Sequence, residues 1–386
     1  MDMGSGRVVI IGANEFQRPL IRKASQKGFE THVFAWEDGA VGREDADFFY
    51  PVSIVEKETI LNYCRRIRPE AVATIGSDLA EVTVNYLVNS LGLPGNPPET
   101  AVLAVNKYRM RCAFRDAGLY TPAFLSAASY EEAEALGIRE LKGPLIVKPV
   151  DRSGSRGIMV VTDETSAREA FREASACSFA GTAIAEEYME GKEYSCEGIS
   201  YEGTHRLLTI TEKFTTGNPH FIERGHLEPP DLPEELRQRA EETVFRALDA
   251  LHVRSGASHT EIRISPSGEV RLIEAGARMG GDCIGSDLVP LTTGYDYVGM
   301  VLDIALGRKP DFTVRPHRRA AGIRFIMNAG DLEIFRTAER TAPGLVVRHF
   351  LEEGDVSEVP ADSSSRHGFF IIAGDDPGEI RQILKS

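Results

Sequence analysis

Cysteine is scarce in this chain of 386 residues: Cys64, Cys112, Cys177, Cys196 and Cys283 are scattered and odd in number. No Cys-x-x-Cys or Cys/His spacing occurs, so neither a disulfide framework nor a zinc site is expected. Positive charge is also short. Forty-four Lys and Arg stand against 58 Asp and Glu, a net charge of −14. That balance argues against a nucleic-acid groove or an anionic membrane surface as the main partner. An anionic nucleotide stays open, because lysines can cluster locally on an acidic protein. No apolar run approaches the length that spans a bilayer. The opening MDMGSGRVVIIGA lacks a basic start followed by a long apolar core, so no signal peptide is expected and a soluble, reducing, cytoplasmic setting follows. Internal repeats and low-complexity tracts are missing too. With 42% hydrophobic residues the chain can bury sizeable cores, and its length suits about two to three domains.

What is present begins with alternation. RVVII at 7–11 reads as a buried parallel strand, with a helix over about 16–27 stopped by Gly28 and a second strand at Thr31–Phe34. A helix at 56–67, a strand at Ala71–Ile75 and a helix from Asp78 to about Leu91 continue the pattern. Such alternation implies a small parallel sheet with helices on both faces. The turn after the first strand lacks Gly-x-Gly-x-x-Gly, so a dinucleotide fingerprint is absent. Glu37 and Asp38 could bind a ribose, but without those glycines a solvated loop is the plainer reading. Leu93-Pro94-Gly95-Asn96-Pro97-Pro98 is a turn-rich break and the first domain boundary.

Beyond it, Asn106 caps a helix that runs to about Ala117 and ends at Gly118. Lys107 lies in its first turn, where the helix dipole disfavours a cation; it is either a surface lysine or one with work elsewhere. In PLIVKPVDRSGSRGIMVV (144–161), two apolar runs flank a loop containing Ser153, Gly154, Ser155 and Gly157. Its backbone N–H groups could wrap phosphate oxygens, although it is not a Walker A loop. Lys148 lies inside the apolar strand, either snorkelling from an edge strand or held beside a polyphosphate. A helix follows over about 165–176, and then AIAEEYMEGKEYSCEGIS gives two strands around Gly191. Tyr188 and Met189 offer apolar surface for a flat base, and Glu193 a carboxylate for ribose hydroxyls; the plainer reading is an ordinary hairpin. Residues 206–214 form a strand carrying Lys213. Thr215–Pro230, with His220, Glu223, Arg224 and His226 among Gly and Pro, reads as a long polar loop, a lid or a disordered segment. An amphipathic helix over about Pro233–Leu251 is structural.

The stretch Gly256–Gly281, GASHTEIRISPSGEVRLIEAGARMGG, reads as a β-hairpin turning at Pro266–Glu269. If Ser265 pairs with Val270, Glu261 lies opposite Glu274. Like charges facing across strands are destabilising. They make sense if a hard cation such as Mg²⁺ sits between them, with Arg278 beside it for a reaction that develops negative charge on oxygen. The bland reading is an exposed hairpin with solvated glutamates and Arg278 in a surface ion pair. A helix over about 295–306 ends at Gly307. Past Pro310 the chain is strand-rich (320–327, 345–351, 368–373) with a final helix after Pro377.

In this order the segments resemble the ATP-grasp superfamily, whose architecture biotin carboxylase and carbamoyl phosphate synthetase share. The resemblance implies an α/β and α+β fold: an N-terminal parallel α/β domain over 1–95, an ATP-grasp domain over 96–310 with a lid at about 120–190, and a C-terminal portion over 311–386 completing the catalytic domain. It implies that Lys107 and Lys148 contact ATP phosphates and that the loop with Ser153, Gly154, Ser155 and Gly157 closes over them. Glu186 would meet the adenine amino group, with Tyr188 and Met189 at the hinge flanking the base, and Glu193 would bind the ribose. Lys213 would approach the terminal phosphates. Glu261 and Glu274 would hold Mg²⁺, with Mn²⁺ as the alternative ion. Where the family commonly has Glu-x-Asn-x-Arg, this chain has Glu274-Ala275-Gly276-Ala277-Arg278. Glycine thus replaces an asparagine metal ligand, which could weaken one metal site. That departure, with His259-Thr260-Glu261-Ile262 and Met279-Gly280-Gly281, is similar to the bacterial L-amino acid ligases. By that resemblance Arg278 would hold the substrate carboxylate and steady the tetrahedral intermediate, and His226 would sit near the substrate. The implied reaction joins a carboxylate to an amine through an acyl phosphate, releasing ADP and phosphate. Its partners would be small-molecule acids and amines, with amino acids first, and a homodimer is an assembly the family uses. The alternatives are a purine-biosynthetic or carbamoyl-phosphate-type ligase acting on formate or bicarbonate, and a nucleotide-binding module that does not catalyse.

Overall fold

In the run Arg7–Ile11 (β1), Val8 and Ile10 belong to one buried cluster and Val9 and Ile11 to another. A strand clad on both faces must be apolar throughout, and this one is. The structure is a computed structural model that describes residues 6–218, 221–352, 356, 360, 362, 363 and 365–385. After β1 come α1 (Arg18–Gln26), β2 (Glu30–Phe34), β3 (Phe48–Tyr50), α2 (Lys57–Ile67), β4 (Ala71–Ala73) and α3 (Asp78–Leu91). The sheet is parallel and four-stranded, in the order β3-β2-β1-β4. β3 is absent from the sequence reading. Three residues are too short to show a period, and only pairing with β2 makes them a strand. Glu37 and Asp38 are exposed in this domain, Glu37 pairs with Arg43 at 3.0 Å, and the solvated-loop reading holds.

Two helices, α4 (Pro98–Val105) and α5 (Lys107–Asp116), lead into a second sheet. The Asn106 side chain caps α5 by accepting from the Arg109 amide at 3.0 Å. Next come β5 (Phe124–Ala127), α6 (Tyr130–Ala135), β6 (Leu145–Pro149), β7 (Met159–Val161), α7 (Glu164–Cys177) and β8 (Ala183–Glu187). They form a four-stranded antiparallel sheet ordered β5-β8-β6-β7. β6 is interior to it, so Lys148 cannot snorkel from an edge.

The third sheet has eight strands. β9 (Lys192–Tyr201), β10 (Thr204–Thr215) and β11 (Glu223–Glu228) precede α8 (Glu234–Ala250), β12 (Gly256–Ile264) and β13 (Val270–Gly276). A π-turn over Ile284–Leu288, α9 (Val289–Thr293) and α10 (Tyr297–Ala305) follow, then β14 (Ala320–Phe325), α11 (Ala329–Thr341), β15 (Val346–Leu351), β16 (Gly368–Gly374) and α12 (Pro377–Lys385). The order is β13-β12-β9-β10-β11-β14-β16-β15, so the C-terminal strands extend the same sheet.

Two readings are corrected here. β8 and β9 do not form a hairpin: they belong to different sheets, and Tyr188–Gly191 is the crossing between them. Residues 223–228 are not loop but strand β11, paired on both sides. Their Gly and charged residues hide a strand because the polar side chains turn toward a cavity. His220 lies outside the described residues. No helix among the described residues is long and apolar enough to cross a membrane, and all five cysteines are unpaired.

Alternation within the large sheet decides what faces what. Tyr194, Cys196, Ile210, Ile262 and Leu272 pack beneath it against Met110 and Phe114 of α5 and Val244 and Leu248 of α8. Glu193 on β9 and His259, Glu261 and Arg263 on β12 therefore point to the opposite face and line a cavity.

One buried acid of this sheet makes stability depend on pH. Glu228 on β11 is fully buried and accepts hydrogen bonds from the Thr211 and Thr292 hydroxyls, each at 2.8 Å. Burial pushes its carboxyl up to about 8, with the Glu197 charge adding to the rise. A folded-state value above the ordinary 4.5 means stability that is full below 4.5 and lost as pH rises toward 8. Glu228→Gln should therefore flatten the fall in urea-unfolding free energy across that window. A variant with the same slope as wild type would show that Glu228 titrates normally.

Candidate functional site

The hairpin of β12 and β13 sets the site. Glu261 stands opposite Glu274, as the sequence suggested, but by another route. Ile264, not Ser265, pairs with Val270, and a bulge at Ile273 shifts the register so that the two glutamates still meet. The cavity above them measures about 250 Å³ and lies between the second and third sheets.

One end of the cavity gathers cations. Lys107 is buried; its ammonium lies 3.1 Å from Glu274 and donates to the Arg152 carbonyl at 2.7 Å. Burial opposes its charge, yet Glu274 and Asp78 hold it above the ordinary lysine value. Lys148 lies 2.7 Å from Glu186, which also pairs with Arg111. Burial lowers Lys148 despite the pull of Glu186, and the charges of Arg111 and Lys107 lower it further. Burial would raise Glu186, but Arg111 and Lys148 bring it down to about 2. Lys107, Arg111 and Lys148 thus face two carboxylates, Glu186 and Glu274, and the excess positive charge suits an anion.

The crossing between sheets forms the next wall. Tyr188 and Met189 line the cavity with Ile146, Ile158, Phe221 and Ile273, an apolar slot for a flat ring. Arg263 ties the crossing down: it donates to the Met189 carbonyl at 2.7 Å and lies 4.8 Å from the Tyr188 ring centroid. It also pairs with Glu193 at 3.1 Å. Gly191 has φ +136°, and a Cβ there would stand 2.5 Å from the Ile264 carbonyl oxygen, so the crossing needs glycine. Ser153, Gly154 and Ser155 line the cavity, and the Ser155 hydroxyl donates to the Phe221 carbonyl at 3.0 Å. Gly157 does not line it. It packs against Pro149, Ala174 and Cys177 with φ +64°, so its part is to turn the chain.

Carboxylates crowd the middle. Lys213 pairs with Glu261 and lies 3.4 Å from Glu193 and 3.7 Å from Glu223. Burial opposes its charge, but these acids hold it well above its ordinary value. His259 is 2.6 Å from Glu197 and 3.4 Å from Glu261. Burial would lower its imidazole, and Glu197 raises it to about 9.

At the far end, His226 is opposite Lys213 across β10 and β11, and is 1% exposed. Its Nε2 lies 3.5 Å from Asp282, which Arg366 grips with two hydrogen bonds of 2.6 and 2.9 Å. Arg278 is not in a surface ion pair. Its side chain is 9% exposed and binds Asp78 of α3.

The cavity therefore brings together Lys107, Lys148, Ser153, Gly154, Ser155, Glu186, Tyr188, Met189, Glu193, Lys213, His226, Glu261, Glu274 and Arg278, and leaves out Gly157. Sequence reasoning passed over Arg111, Arg263, Glu197 and Asp78. Arg111 was findable: it lies four residues after Lys107, on the same helix face as a like charge. Arg263 was findable from its alternation with Glu261, and Glu197 from its alternation with Glu193. Asp78 carries no signal, since its partner is 200 residues away.

The second and third sheets with the cavity between them have the ATP-grasp fold. Residues 141–286 match the ATP-grasp domain family. The alanine–anticapsin ligase of Bacillus subtilis (strain 168) is 28% identical, over 64% of this chain and 56% of that protein. The D-alanine–D-alanine ligase of Cupriavidus pinatubonensis is 26% identical, over 61% of this chain and 74% of that one. The crystal structure of an L-amino acid ligase from Bacillus licheniformis is similar over 99% of this chain and 97% of that one, with 25% identity and a TM-score of 0.83. The chain spans about half the length of the alanine–anticapsin ligases it matches.

Proposed function

We propose that the chain is an ATP-dependent carboxylate–amine ligase of the L-amino acid ligase type, working through an acyl phosphate. The observation that carries this is the facing pair Glu261 and Glu274, bordered by Lys213 and Lys107, in one cavity with the cation-rich end and the apolar slot. The relatives' names support amino acids as the substrate class. Within this reading residues 1–95, 96–310 and 311–386 are the three portions of the chain.

A carboxylate is a poor electrophile toward an amine in water. Phosphorylation turns it into an acyl phosphate with a good leaving group, and catalysis of that transfer is mainly positioning and charge neutralisation. Lys107 and Lys148 would bind the polyphosphate, whose charge the local excess of cations matches. Tyr188 and Met189 would flank the base, Glu186 would lie at its amino edge, and Glu193 would take the ribose hydroxyls. Lys213 would reach the terminal phosphates.

The donor set fits Mg²⁺. Two carboxylates facing across strands leave room for phosphate oxygens, the ligand mixture that ion prefers, and three carboxylates share the one ammonium of Lys213. Glu261 and Glu274 would hold the ion, which supplies neutralisation of charge on the phosphate oxygens. Arg278 would stabilise the oxyanion that forms when the amine attacks. The loop at Ser153–Ser155, resting on Phe221, would keep water from the acyl phosphate.

The test is ADP release with Mg²⁺-ATP against amino acids, singly and in pairs, with bicarbonate and formate as controls. Turnover with amino acids alone, strongest for particular pairs, is expected. A burst with bicarbonate or formate and none with amino acids would replace this reading with a bicarbonate- or formate-dependent ligase.

A further inference from the structure

We infer that Asp78 is a positioning residue for Arg278: from the N-terminal helix α3 it holds the guanidinium at the reacting end of the cavity, in space that Gly276 leaves open. The inference rests on the ligase reading and deepens it.

The contact is a fork against a carboxylate. Arg278 Nε donates to Asp78 Oδ1 at 2.7 Å, and Nη2 donates to Oδ2 at 2.8 Å. Paired in this way, planar groups fix direction as well as distance. The third nitrogen, Nη1, donates to the Met279 carbonyl at 3.2 Å. Exposure of the two side chains is 9% and 19%, so water competes little. Burial would raise the Asp78 carboxyl, but Arg278 holds it below its ordinary value, and the pair is ionised at neutral pH.

Gly276 makes this approach possible. A Cβ at that position would lie 3.2 Å from Asp78 Oδ1 and 3.6 Å from Arg278 Cγ and Cζ. Any longer side chain there must displace the carboxylate, the guanidinium or both. The main chain closes the same joint. The Gly76 amide donates to the Met279 carbonyl at 3.2 Å, and a Cβ on Gly76 would already sit 3.4 Å from Gly281 Cα. The start of α3 is thus seated on the turn that follows β13. Glu274 and Asp78 both line the cavity, 196 residues apart in sequence.

A plain staple between two parts of the fold would use the same atoms. What separates the two roles is where the loss falls. A staple that loosens lowers stability and weakens every ligand. A positioning residue leaves ATP binding intact and slows the step in which Arg278 meets developing negative charge.

The experiment compares wild type with Asp78→Asn, Gly276→Asn and the double variant in the full chain. Ligation with the best amino-acid pair is measured alongside the ATP KM and the midpoint of thermal unfolding. Each single variant should lose kcat by about 10²-fold, the scale of losing one oriented donor, with the ATP KM unchanged even where loss of the buried pair lowers the unfolding midpoint. The double variant should be no slower than the slower single, because both changes break one contact. Unchanged kcat in Asp78→Asn would overturn the proposal. So would multiplied losses in the double variant, or a loss matched by weaker ATP binding and a lower midpoint.

A second measurement does not depend on turnover. In protein labelled with ¹⁵N-arginine, the Arg278 Nε–H, assigned by its disappearance in Arg278→Lys, should be protected from exchange in wild type and unprotected in Gly276→Asn. A protein that ligates nothing but shows that protection, lost on Gly276→Asn, would refute the ligase reading and leave the Asp78–Arg278 arrangement standing. An unprotected Nε–H in an active wild type would refute the arrangement alone.

Discussion

Replacing Glu274 by alanine should abolish ADP formation, lowering kcat by about 10³ or more. The carboxylate is one half of the facing pair and is also the partner of the buried Lys107 ammonium, 3.1 Å away. On the proposed reading its removal takes away an oxygen ligand for the cation, and it leaves the buried Lys107 ammonium without its carboxylate partner. Both effects act on the phosphate oxygens in flight, so the loss should appear in kcat more than in ATP affinity. Glu269, exposed in the turn of the same hairpin, is the control, and Glu269→Ala should keep wild-type rates. ADP release and ATP binding measured on both variants decide the matter: full activity in Glu274→Ala would sink the metal assignment.

Arg111→Ala should be the most destabilising single change at this site, costing about 3–5 kcal/mol in urea unfolding, the usual range for stripping one partner from a buried ion pair. Arg111 is 1% exposed, as is Glu186, with which it pairs. Its remaining nitrogens donate to the Leu272 and Ile273 carbonyls at 2.9 and 3.0 Å. Those carbonyls flank the bulge that brings Glu274 opposite Glu261. One guanidinium therefore braces β8, which carries Glu186, and the bulged strand β13, which carries Glu274. Arg111→Ala with Glu186→Ala should lose less than the sum of the singles, because the second change removes the charge that the first leaves unpaired. A cost under about 1 kcal/mol for Arg111→Ala, typical of an exposed pair, would show that the pair is not the brace described.

Much of this molecule is legible along the chain because much of it is local. β1 is apolar at four successive positions because helices cover both its faces. Asn106 caps α5, and α8 buries Ala240, Val244, Ala247 and Leu248 at helical spacing. These depend on residues within one or two turns of each other. The residues of the site are likewise polar or charged where an apolar residue would be ordinary, as with Lys148 inside its strand. That mismatch can be read without coordinates.

The errors fall where a distant partner decides. The residues of β11 look like loop because their hydrogen bonds go to β10 and β14, one of them about a hundred residues downstream. The segment around Gly191 looks like a hairpin because two strands flank a turn; that they enter different sheets is a fact of topology, invisible to spacing. The hairpin register was misjudged at its tip and right at its glutamates, since a single bulge at Ile273 absorbs the difference.

By itself, then, the sequence determined the strands and helices whose patterns close on themselves, the acidic pair on one hairpin and the set of lysines that surrounds it. Only the tertiary structure decided which charges neutralise each other. Lys213 shared by three acids, Glu186 shared by two cations and Arg278 held by Asp78 across 200 residues are outcomes of packing. The physical reason is range. Backbone conformation and amphipathic period are set by neighbours along the chain, whereas the balance of buried charge depends on which side chains the fold carries into one poorly solvated space.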